Sequence, residues 1–236
     1  VRAVLLEGAS DIEARAVLVA TGVSYRRLDA PGIDGVVGRG VHYGATAGEA
    51  SQTSGADVYV VGGANSAGQA ALNFARYAKR VVLVVRGATL EASMSQYLVS
   101  RVLTAANIDV RLQTEVVGAR GDGHLQAVTL ADRGAGTEEE VEASWLFVFI
   151  GASPRTDWLG DAVVRDGRGF VVTGPDLPPG PIMGWPLERG PYALETSVPG
   201  VFAAGDVRLD SMKRVASAVG EGAMSVYLVH RYLATT

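Results

Sequence analysis

Apolar positions along this chain fall into short runs separated by glycine-bearing turns, and their period changes several times. Residues 1–6 and 12–20 are apolar, β-branched runs divided by Glu7-Gly8-Ala9-Ser10, a pattern that predicts a hairpin. A polar segment with a turn at Pro31-Gly32 follows. Beyond residue 57 the pattern predicts a short buried strand over 58–61, a glycine-rich turn over 62–68 and a helix over 67–79. That helix carries Ala71, Leu72, Phe74 and Ala75 on one face, and 81–85 reads as the next buried strand. Together they form a βαβ unit of about 30 residues, the size of a right-handed crossover onto a parallel sheet.

A second helix is predicted over 94–106, with Tyr97, Leu98, Val102 and Leu103 at helical spacing, and a third parallel strand over 108–112. The stretches 115–120, 124–131 and 138–143, joined by tight turns, predict a three-stranded antiparallel meander. Residues 145–150 form a fourth buried strand ending at Gly151. The fold class is therefore α/β, a Rossmann-like sheet whose last crossover is a β-meander instead of a helix. A Pro/Gly-rich loop over 172–200, with Pro175, Pro178, Pro179, Pro181 and Pro186, is expected to be irregular and exposed. A short strand over 201–204 runs into Gly205-Asp206. A closing helix over 215–233 is apolar at Val219, Met224, Tyr227, Leu228 and Tyr232.

Composition narrows the chemistry. Hydrophobic residues make up 48% and charged residues 19%, which describes a soluble globular protein with a sizeable core. A net charge of −4 without a Lys/Arg run argues against nucleic acid and anionic membrane surfaces as partners. No apolar stretch is long enough for a membrane span and no signal-peptide layout opens the chain, so a cytoplasmic location is expected. The cysteine count is zero, which excludes disulfides, thiolate nucleophiles and zinc-thiolate sites. His42, His124 and His230 lack metal-ligand spacing.

Gly62-Gly63-Ala64-Asn65-Ser66-Ala67 follows a predicted strand and opens a predicted helix, the context of a dinucleotide-binding turn. Gly62 allows the tight turn and Ala67 allows close helix–strand packing. The helix N-terminus offers free N–H groups and partial positive charge to a pyrophosphate. The same pattern is compatible with a strand–helix turn that binds nothing.

Four segments carry a family resemblance: 17–28 (VLVATGVSYRRL), 60–67 (VVGGANSA), 146–159 (LFVFIGASPRTDWL) and 197–207 (SVPGVFAAGDV). In this order and spacing the chain resembles the low-molecular-weight thioredoxin reductases, in which a nicotinamide-binding domain is inserted into a flavin-binding domain. The resemblance implies a flavin-domain remnant over 1–23, an NAD(P)-binding domain over 24–152 and the second flavin-domain part over 153–236. It implies FAD and NAD(P)H as cofactors and a homodimer. The family's flavin domain begins with its own strand, glycine turn and helix, whereas this sequence starts at the hairpin before Ala20-Thr21-Gly22. That unit is either lacking in the native protein or lies outside this sequence.

The resemblance also assigns residues. Ala20, Thr21, Gly22 and Gly151 fall in flavin- and nucleotide-proximal segments. Gly205-Asp206 matches the flavin-ribityl site, where a carboxylate accepts a hydroxyl hydrogen bond; an ordinary Gly-Asp turn is the competing reading. Lys213, Arg214 and Val215 match residues that face the flavin pyrimidine and favour negative charge on reduced flavin, although a solvated helix start reads equally well. Glu221, further along that helix, reads as a surface residue. Trp158 is expected to anchor the domain junction, and Trp185 lies in the loop.

Three departures bear on function. Ala64 stands where the family has glycine, and its methyl group obstructs approach of a ligand to the backbone. Of the family's three arginines for a 2′-phosphate only Arg86 remains, with Gly87 and Glu91 at the other positions, so NADPH preference is in doubt. Gly44 and Ala47 replace the redox cysteines and Gly48 the neighbouring acid, so the dithiol mechanism is closed to this chain. The expectation is a flavoprotein oxidoreductase passing hydride from NAD(P)H to FAD and electrons to an external acceptor, a protein among the options. The alternative is a non-catalytic nucleotide-binding or regulatory module. A flavin-free dehydrogenase fits poorly, because no acid–base constellation lies near a predicted strand end.

Overall fold

In the computed structural model, which describes residues 1–44, 47–178 and 185–235, the chain passes twice between two units. One comprises Val1–Ser24 and Ala152–Thr236, the other Tyr25–Gly151.

The chain opens with β1 (Arg2–Val4) and β2 (Ile12–Ala14), an antiparallel hairpin pairing Arg2 with Ala14. The run 12–20 does not continue as one strand. It bends at Arg15-Ala16, and β3 (Val17–Val19) leaves the hairpin. The reason is long-range pairing: β3 lies parallel to residues 201–203, with Val17 opposite Val201, a partner invisible to local pattern. After β4 (Val23–Tyr25) come two elements that the polar character of the segment conceals, β5 (Val41–Tyr43) and α1 (Ala47–Gln52).

The centre of the second unit is the expected βαβ arrangement. Strand β6 (Asp57–Val61), helix α2 (Asn65–Phe74) and strand β7 (Arg80–Val84) are followed by α3 (Gln96–Thr104) and β8 (Ile108–Arg111). The meander is β9 (Thr114–Gly121), β10 (Leu125–Asp132) and β11 (Thr137–Glu142), after which β12 (Trp145–Val148) returns to the parallel sheet. The sheet order is β5-β12-β6-β7-β8, parallel throughout, with Trp145 opposite Val58 and Val81 opposite Ile108.

Both faces of this sheet are buried, which explains why its strands read as continuous apolar runs. Val58, Val60, Val81, Leu83 and Phe147 pack against α2 and α3 through Ala67, Ala71, Phe74, Leu98 and Val102. Tyr59, Val61, Val82, Val84, Leu146 and Val148 pack instead against Val116, Leu125, Val128 and Leu130 of the meander. Gly68 leaves room on α2 for the Met94 side chain just ahead of α3, whose Sδ would lie 2.7 Å from a Cβ there.

The first unit resumes at β13 (Ala152–Pro154), paired with β4, and ends with β14 (Val201–Ala203) and α4 (Val215–Leu233). Val19, Val163, Val171, Ala203 and Val207 form one core cluster; Leu194, Phe202, Leu228 and Tyr232 form another. The apolar stripe expected on α4 is only partly inward: Leu228 and Tyr232 are buried, whereas Val219, Met224 and Tyr227 are exposed. The loop 172–200 is irregular, but not wholly exposed. Thr173, Leu194, Glu195 and Thr196 are buried, and Glu195 is held there by Arg189 Nη1 at 2.7 Å and by the N–H groups of Tyr192 and Gly200, each at 2.9 Å. Trp185 donates Nε1–H to the Arg189 carbonyl at 2.7 Å, and Trp158 is 56% exposed. Pro179 and Pro181 lie outside the described residues. Among the described residues no helix is long and apolar enough to cross a membrane.

Candidate functional site

The C-terminal ends of the five parallel strands gather the residues singled out in the second unit. The strand order reverses beside β6, which has β7 and β8 on one side and β12 on the other. In open α/β sheets a ligand crevice forms at such a switch point. Gly62 leaves β6 there at φ 142°, a conformation in which a side chain is strained. A Cβ at Gly62 would also lie 2.5 Å from the Phe149 carbonyl oxygen at the end of β12. The turn is thus a glycine requirement twice over.

From that turn the chain enters α2 with Ala64 as N-cap, at φ −96° and ψ 178°, and with no side-chain cap. The first ladder bonds are Ala67 N–H to Ala64 O at 3.0 Å and Gly68 N–H to the same oxygen at 3.2 Å. The N–H groups of Asn65 and Ser66 therefore have no intrahelical acceptor, and both residues are exposed. This helix start is suited to an anion. Ala64 adopts a conformation any residue can reach, so the fold itself does not require glycine there. Asn65 is not simply free for a ligand: its Oδ1 accepts the Ser95 N–H at 2.7 Å, and Ser93 Oγ donates to the Gly63 carbonyl at 2.9 Å.

Arg86 extends from the end of β7 with its side chain 86% exposed, and its Nε is 4.0 Å from Glu115, which Arg133 already holds at 3.0 Å. It stands next to the glycine turn's edge of the sheet, available to a ligand and not committed to the fold. Gly87 and Glu91 are exposed as well. Gly151, just after β12, has φ 97° and accepts the Arg26 N–H at 3.0 Å. Gly44 terminates β5 at φ 85°, its N–H donating to Val148 O at 3.1 Å. Ala45 and Thr46 lie outside the described residues, and α1 begins at Ala47.

In the first unit, parallel pairing brings two sequence-distant segments to one strand edge. Ala204 N–H donates to Val19 O at 3.0 Å, so Ala20-Thr21-Gly22 and Gly205-Asp206 emerge side by side. Gly22 has φ 65° and Gly205 φ 78°. Thr21 is engaged structurally, donating Oγ1–H to the Arg155 carbonyl at 2.8 Å. The Asp206 carboxylate has no partner among the described residues. Helix α4 begins after Arg214, again without a side-chain cap, so the N–H groups of Val215, Ala216 and Ser217 are free. Lys213 has φ 49° and places Nζ 4.5 Å above the Phe170 ring, while Arg214 and Val215 are exposed. A free carboxylate beside free helix N–H groups fits a polyhydroxylated, partly anionic ligand.

Glu221 corrects the sequence expectation. It is not a surface residue: its side chain is 15% exposed and forms a two-pronged ion pair with Arg208. Burial would raise its pKa, but the Arg208 hydrogen bonds, the Gly205 N–H and the Arg208 charge outweigh that and hold the carboxyl below its ordinary range. Spacing gives no sign of it, because Arg208 and Glu221 belong to different elements.

Comparison with known proteins agrees with this geometry. The model of the pyridine nucleotide-disulphide oxidoreductase family matches residues 2–222. The chain is 29% identical over 230 residues to the F subunit of alkyl hydroperoxide reductase from Staphylococcus aureus, and 30% identical to its counterpart from Staphylococcus epidermidis. In each case 98% of this chain aligns with 41% of the relative, so it spans about two-fifths of their length. Its fold is similar to the crystal structure of thioredoxin reductase from Streptococcus pyogenes, with TM-score 0.76 and 27% identity over 98% of this chain and 69% of that one. Thioredoxin reductase from Giardia duodenalis gives TM-score 0.76 and 26% identity over 95% of this chain and 68% of that one. The expected thioredoxin-reductase-like α/β fold is borne out, and the enzymes of this family depend on FAD and NAD(P)H. On the family match and these structural likenesses together, the chain belongs to the pyridine nucleotide-disulphide oxidoreductase family.

Proposed function

We propose that this chain carries the nicotinamide-nucleotide site and part of the flavin site of an FAD-dependent NAD(P)H oxidoreductase that works without a protein dithiol. The observation that carries the reading is the glycine turn at the switch point. Gly62 is required there by φ and by the Phe149 carbonyl, and the α2 N–H groups behind it are free. Bound FAD would supply two-electron acceptance from reduced nicotinamide and release of those electrons to an acceptor.

The residues of the chain hold and orient. The α2 N-terminus meets the nucleotide pyrophosphate, and Arg86 reaches the adenosine ribose side. In the other unit Asp206 would accept a ribityl hydroxyl hydrogen bond, and the α4 N-terminus with Lys213 would favour negative charge on a bound flavin ring. With Cys absent from the whole chain, electrons leave to an external acceptor and not through a thiol. In this reading the acceptor is a separate molecule and the protein pairs with a second copy of itself, which gel filtration tests.

A second reading, a non-catalytic nucleotide-binding or regulatory module, is favoured by Ala64, Gly87 and Glu91, which thin the nucleotide site. One experiment separates the two. The purified chain is mixed with FAD, its visible spectrum recorded, and NADH or NADPH added without oxygen. Bleaching of bound flavin supports the oxidoreductase. Nucleotide binding by calorimetry without flavin binding or bleaching, in this chain and in one extended by the family's N-terminal flavin unit, supports the module.

A further inference from the structure

Glu221 lies two turns into α4, yet its carboxylate serves the end of β14. Gly205 N–H donates to Oε2 at 2.7 Å, Arg208 Nε donates to Oε2 at 3.1 Å and Arg208 Nη2 to Oε1 at 3.0 Å. The remaining Arg208 arm, Nη1, donates to Thr173 Oγ1 at 2.8 Å, and Thr173 is fully buried. Arg208 and Glu221 side chains are each 15% exposed.

Such a pair is an expensive way to fasten a helix. Two charges withdrawn from water lose hydration that an apolar contact of equal size would not forfeit. What an apolar contact cannot do is accept a hydrogen bond from a backbone N–H. Gly205 is the residue that needs one. Its φ of 78° lies where glycine rests most easily, and its N–H meets no backbone acceptor among the described residues, so the Glu221 carboxylate is the group that holds the 204–205 peptide from outside the strand. The next residue is Asp206, whose carboxylate has no partner among the described residues.

We propose that Glu221, itself held by Arg208, is a positioning residue that fixes the Gly205 peptide and thereby aims the Asp206 carboxylate at the FAD ribityl hydroxyls. This rests on the flavin reading given above. Glu221 touches no ligand; it acts through one backbone bond. Its reach matters more than its charge. Gln at 221 keeps an oxygen at the same distance, whereas Asp keeps the charge but is one methylene shorter.

The test is FAD titration of the whole chain, followed by quenching of flavin fluorescence. It compares wild type with Glu221→Leu, Asp206→Asn, their double variant, Glu221→Gln and Glu221→Asp. Expected are losses of FAD affinity of about tenfold for Glu221→Leu and for Asp206→Asn, with the double variant no weaker than the worse single one. Glu221→Gln stays within about threefold of wild type, while Glu221→Asp loses about tenfold. A merely structural role predicts the reverse order for these last two, since Asp preserves the ion pair. Wild-type affinity in Glu221→Leu, or losses that multiply in the double variant, overturns the proposal. If Glu221→Leu does not fold, Glu221→Asp with wild-type affinity overturns it equally. If FAD is taken up neither by the wild-type chain nor by that chain extended with the family's N-terminal flavin unit, the flavin reading itself falls, and this inference with it; if only the extended chain takes it up, the variants are compared in that background.

Discussion

Asn65 Oδ1 accepts the Ser95 backbone N–H at 2.7 Å, so the first residue of α2 caps α3 from 30 positions away. Ser95, the N-cap of α3, makes no side-chain cap of its own. With the Ser93–Gly63 bond, this ties the glycine turn to the segment in front of α3. Replacing Asn65 with Ala orphans an amide at the helix start and should cost about 1 kcal/mol. Asn65→Asp, which keeps the acceptor, should cost less. Urea unfolding of the three proteins checks this, and NADH affinity should fall with the Ala variant because the turn loosens.

Ala64 is the residue to change for tighter nucleotide binding. Its φ and ψ are ordinary, and glycine ranks above alanine at an N-cap, so Ala64→Gly leaves stability unharmed. Removing the methyl group opens the backbone to the pyrophosphate. NADH affinity measured by calorimetry should rise about threefold to tenfold. No change would mean the methyl group does not face the ligand.

Cofactor preference should be movable at Glu91. A carboxylate there repels a 2′-phosphate, and Arg86 is the one left of the three arginines that the family resemblance implies. Glu91→Arg should raise NADPH affinity relative to NADH by about tenfold, the worth of one charge-assisted phosphate contact. Arg86→Ala in that background should remove most of the gain. Paired titrations with the two nucleotides give the ratio directly.

The Arg208–Glu221 pair predicts an acid-sensitive step in stability. The folded-state pKa of Glu221 lies below its ordinary value of 4.5, so its stabilising effect is complete above about pH 4.5. The effect fades as pH falls from there through the depressed folded value. Urea midpoints measured from pH 6 down to about pH 3 should therefore drop less steeply in Glu221→Gln than in wild type. Parallel curves would show that the carboxyl does not titrate differently on folding.

Glu195 is the one fully buried carboxylate among the described residues. It accepts from Arg189 and from the Tyr192 and Gly200 N–H groups. Glu195→Ala leaves two backbone donors and a guanidinium unmet, and should destabilise by about 3–5 kcal/mol. Glu195→Gln should cost less, because its oxygen still serves one donor. Thermal or urea unfolding distinguishes the two.

The elements that pattern alone makes legible share one property: their burial repeats locally. Strands β6, β7 and β12 are sealed on both faces over 58–61, 81–84 and 145–148, so these stretches are apolar throughout and the run announces itself. The closing helix is legible in its bounds, 215–233, but not in its buried face, since of its five expected apolar positions only Leu228 and Tyr232 are buried. Strand β5 escapes because it is a three-residue edge strand, Val41–Tyr43, buried by its partner β12 and not by its own composition. Strand β3 reads as part of the hairpin because its true partner lies about 180 residues away along the chain.

The site divides in the same way. Gly62, Gly205 and Asp206 stand out in sequence because a positive φ or a free carboxylate at a strand end demands a particular residue type. The absence of cysteine means that no residue of this sequence can serve as half of a dithiol. Tertiary structure alone decides what Asn65, Arg208 and Glu221 do. Each acts across elements on a backbone group or opposite charge distant in sequence, and no local period encodes such a pairing. Glu221 has the composition of a surface residue and the position of a buried one. Only the fold, by setting α4 against the end of β14, converts its charge into a hydrogen bond on Gly205.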